Sequence, residues 1–391
     1  MALCEQGISP EDILILDRDG ELGGALKYNL DGSYGLVSLN SFVSSYEFLN
    51  FLVEKVERFK IKYYLNTYVS EVSEKSVKII SRELGRIEIH FEVLIIATGS
   101  KQLINLNSYV CDENILKLIT TGNFFQKNIA LSGILLAKDV LIMGSTSREL
   151  FLAKRIILEG GNVKGIVESE SSIVSNNLNL IKFIKMHNVN IYLNASIEKI
   201  GESWLGLQNY LDVLIKVDKS FSKNILCGRI VCPFKYFPET NFLDGFLDLG
   251  DRDEILINDR FMTSREGIFS IGNNCNLRVN ADSVYVDAIE LSKCVLNYIN
   301  KIDISQNKNV KINYDVNEID LISPKYLTNN KGEKHIVILS NTQNISRNVK
   351  ILVNGNQFSN FKILRFERYM ELLVDFDSFD EELESFHISF I

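Results

Sequence analysis

Apolar runs of strand length alternate with helical segments over the first three quarters of the chain. The predicted strands are short branched runs, among them VLIIA at 93–97, DVLIMG at 139–144, VKGIVE at 163–168 and GIFSIG at 267–272. A helix is predicted at 45–60, where apolar residues recur at helical spacing: Phe48, Leu49, Leu52, Val53, Val56 and Phe59. Because strands separated by helices pair in parallel through right-handed crossovers, the pattern predicts an α/β chain with parallel sheets.

The pattern changes from about residue 311 onward. Short strands there are broken by Asn and Gly turns, as in HIVILSN, NVKILVNG, NFKILRF and FHISFI. This alternation of short strands and turns predicts a small all-β domain at the C-terminal end.

Charge and hydropathy exclude several classes of protein. Lysine plus arginine number 42 and aspartate plus glutamate 50, so the formal net charge is 42 − 50 = −8, which disfavours binding to a phosphate backbone. No apolar run reaches the roughly 18–20 residues needed to cross a bilayer. The N-terminal segment carries Glu5 and no basic region, so it does not resemble a signal peptide. We therefore expect a cytoplasmic protein with no membrane span and no nucleic-acid partner.

The cysteines and histidines indicate neither a redox pair nor a metal site. No C-x-x-C pair occurs among the six cysteines, which are Cys4, Cys111, Cys227, Cys232, Cys275 and Cys294. We expect reduced, mostly buried thiols, and disulfide reduction by a cysteine pair is not expected. The four histidines lie far apart, and their spacing is unlike that of metal ligands. No catalytic acid or base can be named from the sequence.

Four segments in order resemble the FAD- and pyridine-nucleotide-dependent oxidoreductases of the disulfide-reductase superfamily. They are DRDGELGGAL, VLIIATGS, VLIMGSTSRELFLAKRIILEGGNVKGIVE and GIFSIGN, and the resemblance covers roughly residues 1–300. Within that superfamily, ELGGALKYNLDGSYGL and GIFSIGNNCNLRVNADSVYVDAIEL resemble a narrower group. That group consists of FAD/NAD(P)-binding proteins found beside glycerol-3-phosphate dehydrogenase-like subunits.

The resemblance implies two Rossmann-like, three-layer nucleotide-binding domains, the second inserted in the first, followed by the small all-β domain. We expect the first part of the FAD-binding domain at 1–120 and an NAD(P)-binding-like domain at 121–236. The FAD-binding domain would return at 237–304, and the β-rich domain would occupy 305–391.

Seven residues of the FAD-binding domain are implied to bind the cofactor: Asp17, Gly23, Gly24, Thr98, Gly99, Gly272 and Asn273. Asp17 stands where an acid would hold the ribose hydroxyls, although a solvated charge is the plainer interpretation. Asn273 stands where relatives often have aspartate, and an asparagine can still donate and accept hydrogen bonds. Tyr28, Asn29 and Tyr34 could line the substrate face of the flavin or simply form a structured loop.

The first phosphate loop is missing from this sequence. In the family, a central strand and a glycine loop precede the strand that ends at Asp17, and residues 1–7 look like the last turns of the following helix. Losing a central strand leaves the backbone groups of both neighbouring strands unpaired. Two interpretations stay open: a true start upstream of Met1, or a degenerate protein.

The second phosphate loop is altered. The three glycine slots of G-x-G-x-x-G hold Gly144, Thr146 and Glu149, of which only the first is glycine. Glu149 brings bulk and negative charge close to where a phosphate would bind. Glu168, at the end of the next strand, could still accept ribose hydroxyls. NAD(P) binding and a retained structural domain with an empty site are both open.

These features predict an FAD-dependent oxidoreductase subunit that transfers electrons between NAD(P)H, or a partner dehydrogenase subunit, and an unknown acceptor. Glycerol-3-phosphate metabolism is the context that the resemblance offers. The alternative is a degenerate, non-catalytic scaffold subunit that keeps the fold but not the nucleotide sites. Whether the chain is an enzyme is left open by the sequence.

Overall fold

The computed structural model describes most of the chain. The described residues are 1–29, 34–104, 112–205, 208–218, 221–233, 236–243, 245–275, 281–302, 309–329, 331–340, 349–366, 369–377, 379 and 381–390. Cys111 lies outside them. None of the described helices is both long enough and apolar enough to cross a bilayer.

The secondary structure follows the predicted alternation in the first three quarters of the chain. The described α-helices are α1 (Ala2–Glu5), α2 (Ser45–Phe59), α3 (Glu113–Leu116), α4 (Gly122–Ser132), α5 (Ser147–Leu158), α6 (Leu178–Met186) and α7 (Ala281–Ile299). The strands before the C-terminal region are β1 (Leu14–Leu16), β2 (Lys62–Tyr64), β3 (Thr67–Val72), β4 (Ser76–Ser81), β5 (Gly85–His90), β6 (Leu94–Ile96), β7 (Ser100–Gln102), β8 (Ile119–Thr121), β9 (Asp139–Met143), β10 (Asn162–Val167), β11 (Ile191–Tyr192), β12 (Ala195–Leu205), β13 (Gln208–Val217), β14 (Phe221–Cys227), β15 (Arg229–Cys232), β16 (Tyr236–Pro238) and β17 (Ile268–Ser270).

The regular secondary structure described in the C-terminal region consists of β-strands, as the sequence predicted. Its described strands are β18 (Val310–Tyr314), β19 (Ile319–Ser323), β20 (Tyr326–Leu327), β21 (Glu333–Ser340), β22 (Val349–Val353), β23 (Asn356–Phe358), β24 (Phe361–Phe366), β25 (Tyr369–Asp375) and β26 (Phe386–Phe390). They form two sheets, in the orders β20-β18-β26-β22-β23 and β19-β21-β25-β24. Apolar side chains from both sheets share one buried core, which includes Ile312, Ile336, Ile351, Leu372 and Phe386.

The chain divides into two compact units. One comprises Met1–Leu22, Leu52–Lys101 and Phe237–Ile391, and the other comprises Gly23–Phe51 and Gln102–Tyr236. One segment of the second unit ends at Tyr236, and the first unit resumes at Phe237. The four-part division at 120, 236 and 304 stays a prediction from the sequence.

The second unit contains a complete parallel sheet. Its order is β11-β10-β9-β15-β8, and the central strand β9 buries Val140, Leu141 and Ile142 completely. Helices α4, α5 and α6 contribute side chains to the core on one face. The antiparallel sheet β12-β13-β14 contributes to the core on the other face, and the sequence analysis had not anticipated this sheet.

The parallel strands of the first unit form two separate pairs. β1 pairs in parallel with β2, and β6 pairs in parallel with β17. No described strand joins the two pairs, although Leu16 of β1 and Ile96 of β6 pack into the same core. Such a gap was expected, because the family's central strand is not part of this sequence. The antiparallel meander β3-β4-β5 completes this part of the unit.

Candidate functional site

Asp17 is held at the end of β1 by its backbone. Its N–H donates to the Tyr64 carbonyl and its carbonyl accepts from the Thr67 N–H, both at 2.9 Å. The Asp17 Oδ1 atom accepts the Asp19 N–H at 2.9 Å, which shapes the turn after the strand. The half-buried carboxylate is therefore fixed in place at a strand end, as a ribose-binding acid would need to be.

Gly23 and Gly24 have different reasons to be glycine. Both have positive φ, +119° and +50°. A Cβ on Gly23 would lie 2.4 Å from Leu49 Cδ1, so the packing of α2 excludes a side chain there. A Cβ on Gly24 would have no heavy atom within 4 Å. Only Gly24 leaves open space of the kind the flavin role requires.

Thr98 and Gly99 are tied to a residue that sequence reasoning missed. The Thr98 hydroxyl donates to the Glu239 carbonyl at 2.8 Å, and the Glu239 N–H donates to the Gly99 carbonyl at 3.0 Å. The Glu239 carboxylate also forms ion pairs with Arg18 at 3.4 Å and with Lys101 at 3.3 Å. Because Arg18 follows Asp17, Glu239 connects the Asp17 turn to the Thr98–Gly99 turn. No sequence motif marked Glu239 in advance.

Gly272 and Asn273 follow β17 and carry a buried, unsatisfied acceptor. Gly272 has a φ of +85°. The Asn273 Oδ1 atom is buried and has no hydrogen-bond partner among the described residues, and the same holds for Asn274 Oδ1. Asn274 itself is anchored, since its Nδ2 donates to the Ile96 carbonyl at 3.0 Å. An unsatisfied buried acceptor costs about 1–3 kcal/mol, so these oxygens suit a ligand rich in hydroxyl donors.

Asp282 is the second residue of α7 and is buried within its first turn, so it is not the N-cap residue of that helix. The side chain has a partner within the structure.

Asp17, the Thr98–Gly99 turn and the acceptors after β17 belong to one unit. Their hydrogen-bonding groups fit the hydroxyl groups that FAD offers. A glycine-rich loop, which would hold the pyrophosphate of FAD, does not precede Asp17 in this sequence.

The phosphate loop of the second unit is filled by a carboxylate. Gly144, whose φ is +92°, follows the last residue of β9, and α5 begins after the N-cap residue Thr146. Glu149, in the first turn of α5, is buried, and a Cβ on Gly144 would lie 3.1 Å from its Oε1. The Thr146 hydroxyl donates to Glu149 Oε2. The residues present do not fit a nucleotide pyrophosphate here.

Glu168 is also satisfied internally. It is buried at the end of β10 and accepts the Ser145 hydroxyl at 2.6 Å and the Glu170 N–H at 3.1 Å. Ser145 Oγ in turn accepts the Val174 N–H at 2.9 Å. The acid that could accept ribose hydroxyls is thus already held by the protein.

The loop that follows the glycine doublet is well packed where it is described. Tyr34 is buried, its ring stacks on Phe48 at 6.0 Å, and its hydroxyl accepts from Asn29 Nδ2 at 3.0 Å. Tyr236, which was not anticipated, donates its hydroxyl to Asn123 Oδ1 at 3.1 Å beneath the Arg148 guanidinium. Burial raises the pKa of Tyr236 to about 12, so this phenol stays protonated at neutral pH.

The Cys227 and Cys232 thiols are unsuited to redox exchange. The cysteines of the described residues are free. Burial raises the pKa of Cys227 to about 12 and that of Cys232 to about 11. Because the thiolate is the reactive form, both are poor nucleophiles at neutral pH.

Comparison with known proteins shows which solved structures share this fold. No protein-family model matches the chain. The solved structures of thioredoxin reductases from T. acidophilum and Lactococcus lactis superpose with TM-scores of 0.58 and 0.61. Each match covers 77% of this chain and 93% or 94% of the other, at 18% and 15% identity. The chain has the fold of thioredoxin reductase-like pyridine nucleotide-disulfide oxidoreductases.

Two further comparisons extend this result. An engineered water-forming NADPH oxidase bound to NADPH matches 96% of this chain and 82% of its own, with a TM-score of 0.53 and 13% identity. The thioredoxin reductase of Borreliella burgdorferi is 24% identical over an alignment of 216 residues, and the alignment covers 45% of this chain. The match spans 65% of the length of that curated relative. The α/β fold class, with its two Rossmann-like domains, is confirmed.

Proposed function

We propose that this chain is an FAD-binding subunit of the pyridine nucleotide-disulfide oxidoreductase type. It would transfer electrons between NAD(P)H, or a partner dehydrogenase subunit, and an acceptor. The observation that carries the proposal is the buried Asn273 Oδ1, which follows β17 and has no hydrogen-bond partner among the described residues, in a fold that thioredoxin reductases share. FAD, when bound, supplies the electron-transfer chemistry.

The chain's own residues would bind and orient the cofactor. The Asp17 carboxylate would accept hydrogen bonds from ribose hydroxyls, Asn273 Oδ1 would accept a hydrogen bond from another hydroxyl, and Gly99 would leave room for close approach of the backbone. Glu239 would position the Asp17 and Thr98 turns relative to each other. A cysteine pair takes no part, because the chain has no C-x-x-C sequence.

Flavin content tests this proposal directly. The full chain should bind FAD, either as purified or after incubation with added FAD, at close to one flavin per chain by visible absorbance. Asp17→Ala and Asn273→Ala should each weaken FAD binding by about tenfold or more, because each removes a hydrogen-bonding acceptor worth about 1–3 kcal/mol. Asp12→Ala, which removes an exposed carboxylate from the segment preceding β1, is the matched control and should bind as the parent does.

A colourless full-length chain that takes up no added FAD would contradict the proposal. Unchanged FAD affinity in both Asp17→Ala and Asn273→Ala would remove the assigned residues from the site.

We also propose an identity for the partner subunit. On the resemblance of ELGGALKYNLDGSYGL and GIFSIGNNCNLRVNADSVYVDAIEL, the partner would be a glycerol-3-phosphate dehydrogenase-like subunit. Reduction of the bound flavin by glycerol-3-phosphate in the presence of the co-purifying subunit, and not in its absence, would support this assignment. Reduction that does not depend on that subunit would contradict it.

The altered second loop favours a second candidate, a non-catalytic scaffold subunit. Its supporting observation is the buried Glu149 carboxylate against Gly144. Such a subunit would co-purify with a partner, and the complex would keep its stability when Asp17 and Glu168 are replaced. Loss of bound flavin on Asp17→Ala would reject the scaffold function.

A further inference from the structure

The turn from β9 into α5 carries its own capping sequence. Thr146-Ser147-Arg148-Glu149 has the S/T-x-x-E pattern of a capping box, in which the acid three residues after the N-cap folds back on the helix start. Thr146 is the N-cap, with extended backbone, and Glu149 lies in the first turn. The hydrogen bond from the Thr146 hydroxyl to Glu149 Oε2 brings the carboxylate back over the turn.

The position of this carboxylate decides what the turn can bind. The Glu149 side chain is buried, and its Oε1, Cδ and Cγ atoms lie 3.1, 3.3 and 3.4 Å from the point where a Gly144 Cβ would be. The surface of Gly144 is thus covered. A helix N-terminus stabilises a nearby negative charge, and at α5 that charge is already supplied by Glu149.

A second internal hydrogen bond, from the Ser145 hydroxyl, holds the neighbouring carboxylate of Glu168. Ser145 is fully buried, its hydroxyl donates to Glu168, and its carbonyl accepts the Ser175 N–H at 2.9 Å. The Ser147 and Ser175 hydroxyls lie 2.8 Å apart. The segment around Ser175 is therefore fastened to the turn, next to Glu168.

We propose that the Glu149 carboxylate prevents NADH and NADPH from binding at the turn from β9 into α5 of the second unit. The carboxylate places a negative charge at the start of α5 and covers Gly144. A pyrophosphate would therefore clash with the Glu149 side chain and be repelled by its charge. Whether NADH or NADPH binds at this turn depends on the second unit alone and does not require flavin. The consequence, that electrons reach the flavin from a partner protein and not from a nucleotide bound in this domain, rests on the proposed function.

Calorimetric titration of the full chain with NADH and NADPH tests the inference. The parent chain should show no saturable binding of either nucleotide up to about 1 mM. Thr146→Gly/Glu149→Ala, which restores small residues in both altered slots, should gain at least about tenfold in affinity for one of them. Glu159→Ala removes one negative charge from the other end of the same helix and should leave binding unchanged.

The single variant Glu149→Ala keeps the Thr146 side chain, so it still tests the inference if the double variant does not fold. Circular dichroism and urea unfolding establish that each variant is folded. Binding of either nucleotide by the parent chain in the micromolar range would overturn the inference. A gain of less than about tenfold in both folded variants would overturn it equally.

Discussion

At the scale of single residues, the glycines and acids that looked alike in sequence differ in what surrounds them. Gly23 is required by the packing of Leu49, whereas Gly24 faces open space. Asp17 offers a half-buried carboxylate at a strand end, whereas Glu168 is buried and already satisfied by Ser145. Sequence position identified all four as candidates, but only their contacts separate a binding role from a packing role.

Gly23→Ala should destabilise the protein more than Gly24→Ala. At Gly23 the new methyl group meets Leu49 in addition to the cost of positive φ, and we expect a loss of about 3 kcal/mol in the free energy of unfolding. At Gly24 only the backbone cost remains, about 1 kcal/mol. Urea unfolding of both variants measures the difference, and equal losses would show that Leu49 yields without cost.

At the scale of elements, the two units deal differently with their parallel strands. The sheet of the second unit is continuous, and β9 in its centre is fully buried. The parallel strands of the first unit form two pairs with no described strand between them. Apolar runs predicted β6, β9, β10 and β17 correctly, because buried strands need branched side chains whatever their partners are. The antiparallel sheet β12-β13-β14 was missed, since its strands mix exposed polar and buried apolar residues without a clear turn signal.

The burial of Cys227 and Cys232, at the ends of β14 and β15, predicts a pH dependence of stability. Burial raises the pKa of Cys227 from its ordinary 9.0 to about 12, so the folded state favours the neutral thiol. This contribution to stability is complete below pH 9.0 and is lost as the pH rises toward about 12.

Urea unfolding at about pH 8 and about pH 10.5 should therefore show a smaller loss of stability for Cys227→Ala than for the parent chain. The comparison between the two proteins cancels the titration of other groups. An identical loss in both would show that the Cys227 thiol does not titrate differently on folding.

At the scale of the whole molecule, a buried ion pair ties the C-terminal β region to the segment before β17. Lys334 of β21 and Asp259 lie 2.5 Å apart, and their side chains are 8% and 3% exposed. The Thr328 N–H and hydroxyl donate to the same carboxylate at 2.8 and 3.0 Å. Removing one partner of such a pair leaves an uncompensated buried charge.

Lys334→Met should therefore lower the free energy of unfolding by about 3–5 kcal/mol. Asp259→Asn combined with Lys334→Met should recover part of the loss, because an amide can still accept from Thr328. Lys293→Met, which breaks the exposed pair with Glu290, is the control and should cost less than about 1 kcal/mol. A double variant no more stable than Lys334→Met alone would count against a charge-based loss.

The sequence by itself determined the α/β class, the buried strands, the all-β tail and the altered glycine slots at Thr146 and Glu149. These follow from local residue types, since side-chain branching, helical spacing and glycine are read along the chain. The tertiary structure alone decided that Glu149 folds back over Gly144, that Ser145 holds Glu168 and that Glu239 joins two turns. It also decided that Asn273 Oδ1 has no hydrogen-bond partner in the described part of the chain. Each of these contacts depends on which groups the fold brings together. Whether a polar atom finds a hydrogen-bond partner therefore cannot be deduced from the order of residues alone.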